Sequence, residues 1–253
     1  MKYLLFVLGT FFICVTAMEQ AQLVIMDGNH APAFKPTVPW SRQTTSVYVE
    51  NVGNKAAVLW SNSISFQNQS GDTAYWATSN TCRGILFPGM ACNFFIYFQP
   101  VKTGILGDVL SVVYYDETDP ARRQLKVTWP LSTTVLTPPK LEIAEGPVFD
   151  FGVVVPDETK THTFTVTNSG EYPAVGMSYS VHPGRPFGFL RGQYPGANGT
   201  CGDVLNYKES CTIVIEYWPT QPAINKYLFE LSYYDGRGGT MTSSSLELRG
   251  SSR

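Results

Sequence analysis

The chain has 253 residues, of which 15% are charged and 13% are aromatic, and its 18 Lys and Arg residues nearly balance its 20 Asp and Glu residues. A net charge of −2 without a Lys/Arg cluster argues against binding to nucleic acid or to an anionic membrane surface, because both depend on neutralising phosphates. Few charges and many aromatic residues are typical of a β-rich extracellular protein rather than of a disordered one.

The N-terminus has the pattern of a secretion signal. One positive charge precedes an uncharged apolar run over residues 3–15, and the small residue Ala17 follows. The run is shorter than the roughly 20 residues of a membrane-spanning helix, and no later segment is suited to span a membrane. We predict a cleaved signal peptide over residues 1–17 and no transmembrane segment in the mature chain. A lipoprotein signal that uses Cys14 is the alternative, although Ile13 stands where such sites need a small residue.

The two halves of the remaining chain repeat each other. Cys82 and Cys92 are separated by nine residues, and the same spacing recurs 119 positions later at Cys201 and Cys211. The offset of 119 also relates residues 114–116 to 233–235, which are Tyr-Tyr-Asp in both copies, and an offset of 117 relates residues 49–53 to 166–170. Self-similarity at such a long period predicts tandem copies of one fold.

The four cysteines that remain after removal of the signal all belong to the repeated pairs. In an oxidising compartment we expect them to form disulfides. Three pairings are conceivable, and only Cys82 with Cys92 and Cys201 with Cys211 respects the repeat. A zinc site would need cysteines from two domains, without any Cys-x-x-Cys pair. By the chain-entropy estimate each bridge stabilises its domain by about 2.8 kcal/mol, so we interpret the bridges as structural.

Short runs with a period of two predict strands, and helical periodicity is missing from the sequence. Residues 163–167 and 211–217 alternate apolar and polar side chains, as half-buried strands do. Clusters of Gly, Pro, Asn and Asp separate such runs, which gives about seven strands per repeat. We predict an all-β fold of two antiparallel sandwiches, domain 1 over residues 22–135 and domain 2 over 141–250. The Pro-rich linker 136–140 is expected to be an extended spacer.

The strand sequences of domain 2 resemble the immunoglobulin-like domain of the abnormal-spindle/hydin (ASH) type, whose exported bacterial versions are grouped as choice-of-anchor D and related domains. The resemblance lies in residues 149–154, 163–170, 211–219 and 233–236. Domain 1 lacks the Phe-Gly-Val entry of this pattern but keeps Asn51-Val52-Gly53 and Phe98-Gln99-Pro100. The resemblance implies two tandem immunoglobulin-like sandwiches of a bacterial surface or periplasmic protein, usually non-catalytic. It transfers no active site, because the matching positions are turn formers and core residues.

The sequence offers no recognisable catalytic group, and we expect neither an enzyme nor a cofactor. No histidine lies near a cysteine or in a metal-binding spacing; the histidines are His30, His162 and His182. Asp116, Glu117 and Asp119 concentrate three carboxylates at a strand end and could hold calcium through oxygen ligands. A solvated turn is the alternative interpretation of these carboxylates.

A candidate partner surface follows from comparing the copies. Strand parity places five apolar residues on the outer face of a hairpin predicted in domain 1: Phe95, Tyr97, Val109, Val113 and Tyr115. The matched residues of domain 2 are Val214, Glu216, Leu228, Ser232 and Tyr234. Domain 1 thus keeps aromatic side chains where domain 2 accepts polar ones, and exposed apolar patches commonly mark interaction surfaces. Packing against domain 2 or against residues 22–40 is the alternative.

We expect a non-catalytic structural, adhesive or assembly module of the bacterial cell envelope. It would be periplasmic, on the cell surface or secreted, and would bind another envelope or surface protein or copies of itself. One alternative is a periplasmic chaperone of the pilus type, because the last strand of domain 1 alternates apolar residues as a donor strand would, at Leu125, Val127, Trp129 and Leu131.

A carbohydrate-binding module is the other alternative. Trp60, Tyr75 and Trp76 are the aromatic side chains that could stack on sugars in such a module. A glycosidase would need two opposed carboxylates in a cleft, and the sequence shows no convincing pair.

Overall fold

The computed structural model describes residues 20–26, 34–67, 75–78, 81–179, 185–239 and 241–253. The predicted signal peptide, including Cys14, lies outside these residues. The first half contains β1 (Leu23–Met26), β2 (Gln43–Asn51), β3 (Ala57–Leu59), β4 (Ile64–Phe66), β5 (Tyr75–Thr78), β6 (Gly84–Leu86), β7 (Ala91–Phe98), β8 (Gly104–Asp116) and β9 (Gln124–Val135). One sheet has the strand order β1-β2-β7-β5, and the other has the order β4-β8-β3-β6 with β9 on β8.

The second half repeats this arrangement. Its strands are β10 (Leu141–Ile143), β11 (Val148–Val154), β12 (Lys160–Asn168), β13 (Ala174–Tyr179), β14 (Phe187–Phe189), β15 (Val204–Leu205), β16 (Ser210–Tyr217), β17 (Ala223–Tyr234) and β18 (Met241–Ser252), and a 3-10 turn lies at Leu190–Gly192. The sheets have the orders β10-β12-β16-β14 and β11-β18-β17-β13-β15. We call the two halves the N-terminal and the C-terminal sandwich.

Both sandwiches divide their strands as immunoglobulin domains do. One sheet contains the first strand (β1 or β10), a long second strand (β2 or β12) and the cysteine-bearing strand (β7 or β16). The long final hairpin (β8–β9 or β17–β18) forms the other sheet together with β3 or β13. In the C-terminal sandwich β11 pairs in parallel with β18. The N-terminal counterpart of this pairing is a single parallel bridge between Thr37 and Val135. The predicted all-β, immunoglobulin-like fold class is confirmed.

Apolar and polar residues alternate along the strands, and the apolar ones form the cores. Phe94, Ile96 and Phe98 on β7 are fully buried, and so are Ile213 and Ile215 on β16. Buried apolar residues form one cluster between positions 21 and 135 and another between positions 141 and 248. Each core therefore lies between the two sheets of its own sandwich.

The predicted disulfides are present. Cys82 is bonded to Cys92 and Cys201 to Cys211, with Cα atoms 5.0 Å and 4.8 Å apart. Each bridge ties the start of a core strand, β7 or β16, to the segment that precedes the short strand β6 or β15.

A buried asparagine side chain closes the end of each sandwich. Asn51 ends β2, and its Oδ1 accepts hydrogen bonds from the backbone N–H of Gln22 at 3.3 Å and of Gly53 at 3.1 Å. Its Nδ2 donates to the carbonyls of Lys55 at 2.8 Å and Leu86 at 2.9 Å. One fully buried amide thus connects the first strand, the turn after β2 and the end of β6.

Asn168 repeats these four bonds in the C-terminal sandwich. Its Oδ1 accepts from the backbone N–H of Lys140 at 3.1 Å and Gly170 at 3.0 Å. Its Nδ2 donates to the carbonyls of Tyr172 and Leu205, both at 3.0 Å. Because every bonding atom of the buried amide has a partner, the side chain does not carry the cost of an unpaired polar group.

The junction between the sandwiches is hydrogen-bonded. Tyr172 N–H donates to the Thr137 carbonyl at 3.0 Å, and Thr137 N–H donates to Glu171 Oε2 at 2.9 Å. Val38, which is fully buried, lies against Gly236: a Cβ atom on Gly236 would come within 3.1 Å of Val38 Cγ2. Part of the predicted linker is therefore held against the C-terminal sandwich.

Replacement of Asn168 by alanine should destabilise the C-terminal sandwich by at least about 3 kcal/mol, because two backbone N–H groups and two carbonyls lose their partner in a buried site. Urea denaturation of the variant measures this change. Asn206→Ala, at an exposed turn position, is the matched control and should stay within about 0.5 kcal/mol of the parent. Equal denaturation midpoints for the two variants would contradict this role of Asn168.

Candidate functional site

The five residues predicted to share one outer face lie on two different sheets. Strand β7, with Phe95 and Tyr97, pairs with β2 and β5. Strand β8 belongs to the other sheet and pairs with β9 over its whole length, so Val109, Val113 and Tyr115 face the opposite side of the sandwich. The prediction of a single hairpin face is therefore wrong: residues 99–103 cross between the sheets instead of forming a hairpin turn.

Aromatic side chains occupy the outer face of the β2–β7 sheet. Tyr48 and Phe95 are 38% and 37% exposed, and Tyr97 is partly exposed. The guanidinium of Arg42 lies over the Tyr97 ring, 4.3 Å from its centroid, which is a cation–π arrangement. We call Tyr48, Phe95 and Tyr97 the aromatic face.

The matched face of the C-terminal sandwich is polar. The position of Tyr48 is taken by Thr165, with Thr163 and Thr167 beside it on β12, and the position of Tyr97 is taken by Glu216. Val214, which matches Phe95, is only 5% exposed because the loop at Pro195 lies over it; the backbone N–H of Val214 donates to the Pro195 carbonyl at 2.8 Å. Exposed aromatic side chains on this sheet face are therefore a property of the N-terminal sandwich.

A second apolar surface occurs on the outer face of the other sheet, and in both sandwiches. In the N-terminal sandwich the strand register aligns Val58 with Ile85 on one side and with Tyr115 on the other. In the C-terminal sandwich Val175 is aligned in the same way; its neighbours are Val204 and Tyr234. We call Val58, Ile85 and Tyr115 the N-terminal row, and Val175, Val204 and Tyr234 the C-terminal row.

Of the six row residues, the sequence prediction included only Tyr115 and its match Tyr234. The predicted surface rested on positions that differ between the two copies, whereas the row positions remain apolar in both copies. The repeat offsets combined with strand parity could have identified them. Three of the six row side chains are clearly exposed, namely Ile85 at 47%, Val204 at 50% and Tyr234 at 40%, and Tyr115 is partly exposed. Contiguous apolar side chains at a surface commonly mark an interaction site.

Trp60 packs on Tyr115 of the N-terminal row and forms an aromatic stack with it. The Trp60 and Tyr115 rings stack with centroids 5.9 Å apart and planes at 26°, and the Arg122 guanidinium lies over the Tyr115 ring at 5.6 Å. Val109 and Val113 continue the same face along β8 and are partly exposed. Of the predicted partner residues, the structure thus brings together Val109, Val113 and Tyr115.

Tyr75 is not available for stacking on a sugar. It is 5% exposed, and its ring packs on Phe98 at 4.6 Å and on Phe34 at 5.5 Å. Burial, together with the nearby Asp108 carboxylate, raises the pKa of the Tyr75 hydroxyl. The side chain of Trp76 lies outside the described residues. The predicted sugar platform of Trp60, Tyr75 and Trp76 is therefore wrong in the case of Tyr75, which is a core residue.

The carboxylates proposed for calcium are used in turns. Asp116 accepts hydrogen bonds from Ala21 N–H at 2.8 Å, Thr118 N–H at 2.8 Å and the Thr118 hydroxyl at 2.6 Å. Asp119 accepts from Arg123 Nε at 2.9 Å. Within the part of the chain that the structure describes, no group of three or more His, Cys, Asp or Glu side chains could hold a metal ion. Asp116, Glu117 and Asp119 therefore do not converge on a calcium site.

The histidine that the structure describes has a packing role. His162 stacks on Phe149, with ring centroids 4.0 Å apart, and its Nε2 lies 3.8 Å from Glu145 Oε1. His30 and His182 lie outside the described residues.

The alternating residues of β9 pack on their own sandwich. Leu131 is buried, while Leu125, Val127 and Trp129 are partly buried against the N-terminal core. This packing explains the alternation that suggested a donor strand, because any half-buried strand shows it.

Comparison with known proteins assigns no family. No protein-family model matches the chain, and no curated protein matches its sequence. Among solved structures, the chain is similar to a protein of unknown function from Porphyromonas gingivalis, with 9% identity over 90% of this chain and 99% of the other and a TM-score of 0.31. The ASH/PapD-like domain 7 of human CEP192 has 16% identity over 46% of this chain and 86% of its own length, with a TM-score of 0.34. A titin fragment of three immunoglobulin domains has 11% identity, coverages of 92% and 66%, and a TM-score of 0.43.

Similarities this remote assign no function to the chain. Within the described ranges, no helix is both long and apolar enough to cross a lipid bilayer.

Asp116→Ala should destabilise the N-terminal sandwich by about 1–3 kcal/mol, because the N–H groups of Ala21 and Thr118 lose their acceptor. Burial acts to raise the pKa of the Asp116 carboxyl, but the hydrogen bonds from Thr118 and Ala21 hold it below its usual value of 3.8. This contribution is therefore present above that value and is lost as the pH falls through the lowered pKa. Thermal unfolding from pH 7 to pH 2 should show this loss in the parent and not in the variant.

Calcium provides the control for this interpretation. At about 5 mM, above the dissociation constants of extracellular calcium modules, it should leave the parent melting temperature unchanged. A calcium-dependent rise that Asp116→Ala abolishes would show that the carboxylates bind the ion after all.

Proposed function

We propose that the protein is a non-catalytic interaction module of the bacterial envelope that binds another protein through the aromatic face. The observation that carries this proposal is the contrast between two copies of one fold. Tyr48 and Phe95 are exposed and Tyr97 is partly exposed on the N-terminal sandwich, whereas Thr165 and Glu216 take the positions of the two tyrosines on the C-terminal one. A sheet face that only needs to be in contact with water tolerates threonine, so the fold itself does not require the aromatic side chains.

The chemistry of this face suits protein recognition. Tyrosine and phenylalanine bury a large area with few rotatable bonds, and Tyr and Arg are enriched among the residues that dominate binding energy. Arg42 over Tyr97 adds a cation beside the apolar rings. A partner would gain affinity from desolvating the rings and specificity from a group placed opposite the guanidinium.

Two further observations support a binding module of an exported protein. The disulfides Cys82–Cys92 and Cys201–Cys211 are typical of an oxidising compartment, which favours a periplasmic, surface or secreted location. Asp116 is engaged in hydrogen bonds that stabilise a turn, which supports a structural rather than a catalytic use of this carboxylate.

The double variant Tyr48→Ser/Phe95→Ser should lose at least about tenfold in affinity for the partner, because the two rings form the centre of the proposed contact. The partner is first captured from envelope extracts by cross-linking and identified, and its affinity is then measured with purified components. The two rings are exposed, so the melting temperature of the variant should remain close to that of the parent.

Thr165→Ser, at the matched position of the C-terminal sandwich, is the control and should bind as the parent does. Retention of full affinity by the double variant would overturn the proposal, and so would an equal loss in the control.

A further inference from the structure

The N-terminal and C-terminal rows have the same chemistry on two copies of the fold. Val58 and Val175 occupy matched positions, and the strand register gives each of them an exposed aliphatic neighbour and a tyrosine neighbour. Apolar side chains that stay exposed in both copies favour an interaction surface on both rows.

The surroundings of the two rows differ in shape. Beside the N-terminal row, Trp60 is stacked on Tyr115 and adds a second ring to the surface. Beside the C-terminal row there is an apolar hollow of about 420 Å³, whose walls include Tyr172, Pro173 and Tyr234. The N-terminal row therefore presents aromatic rings, whereas the C-terminal row presents an apolar hollow.

Glycines create the hollow. Gly236, Gly238 and Gly239 line it, and the matched positions of the N-terminal sandwich are Glu117, Asp119 and Pro120. The pocket at the matched turn of the N-terminal sandwich has polar walls instead, which include Asp119, Arg123 and Gln124.

The charges near the two rows are opposite. Arg83 precedes the strand that carries Ile85, and Lys126 is aligned with Val113, next to Tyr115. Their counterparts in the C-terminal sandwich are Gly202 and Ser243.

The C-terminal row has carboxylates nearby instead. Asp203 precedes Val204, and Glu230 lies on the same face of β17 as Tyr234. The matched residues of the N-terminal sandwich are Gly84 and Ser111, and Arg237 near this row is paired with Asp235 at 3.5 Å. Asp119 near the N-terminal row is likewise paired, with Arg123 at 2.9 Å, and Glu117 is exposed in the same turn. The cations Arg83 and Lys126 therefore flank the N-terminal row, and the carboxylates Asp203 and Glu230 flank the C-terminal row.

We propose that the chain associates with a second copy of itself, with the Trp60–Tyr115 stack of one copy seated in the hollow beside Tyr234 of the other. The rows bury each other's apolar side chains, and Arg83 and Lys126 of one copy face Asp203 and Glu230 of the other. The contact joins unlike sandwiches, so two copies form it twice around a twofold axis, or successive copies extend the assembly. The rows lie on the opposite sheet from the aromatic face, so this proposal stands independently of the proposed function.

Charge reversal tests the proposed pairing directly. The protein with its disulfides formed is examined by sedimentation velocity up to about 100 μM, where an interface of micromolar affinity is populated. The parent should associate with increasing concentration. Arg83→Glu/Lys126→Glu should weaken association at least about tenfold, since like charges then face each other, and Asp203→Lys/Glu230→Lys should do the same. The variant that carries all four substitutions should associate again, because opposite charges then face each other.

A pair of tryptophan variants tests the stack. Trp60→Ala should abolish association, whereas Trp40→Ala, at an exposed tryptophan outside the rows, should leave it intact. Melting temperatures show whether each variant is folded. The variant with all four charge reversals needs no such control, because restored association itself shows that it is folded. A parent that stays monomeric over the whole range would overturn the proposal, as would association that is insensitive to the charge reversals.

Discussion

A single buried amide holds each sandwich closed at one end, and the rest of the repeat depends on it. The Asn51 side chain supplies two donors and two acceptor sites to backbone groups from three separate segments, and Asn168 does the same one repeat later. Without it, four backbone groups would be left unpaired at the end of the core, where no neighbouring strand can satisfy them. The glycine two positions later is equally constrained: a Cβ atom on Gly53 or Gly170 would lie 2.3 Å or 2.0 Å from a backbone carbonyl oxygen.

This shared frame makes the two copies comparable position by position. The cores repeat, as do the disulfides and a second closing bond, in which Leu23 N–H donates to the Tyr114 hydroxyl and Leu141 N–H to the Tyr233 hydroxyl. Residues that differ between the surfaces of the two copies are therefore not required by the fold. The contrast between aromatic residues and threonine on one sheet, and between the stack and the hollow on the other, underlies the two proposed contacts.

The sequence was sufficient for the features that depend on local pattern. Alternation with a period of two predicted the strands, and the repeated cysteine spacing predicted both disulfides, because these signals lie within short segments or within the repeat itself. Alternation also determined which side chains of β7 and β8 point outward. It could not determine that Phe95 and Tyr115 face opposite sides of the molecule, because strand parity does not say to which sheet a strand belongs. The burial of Tyr75 was missed for a related reason: residue type shows stacking ability, whereas burial depends on the packing of Phe34 and Phe98, which are distant in sequence.

Native-state hydrogen exchange of the Gly53 and Gly170 amides tests the role of the buried asparagines most directly. Both amides lie in turns, where exchange is normally fast, but each donates to an asparagine Oδ1 inside the closed end of a sandwich. We expect them to exchange about as slowly as the core amides of Ile96 and Ile215, since both would require opening of the whole sandwich. Exchange as fast as that of the turn amides of Met90 and Glu209 would contradict the account, because the asparagine would then not hold the end of the sandwich closed.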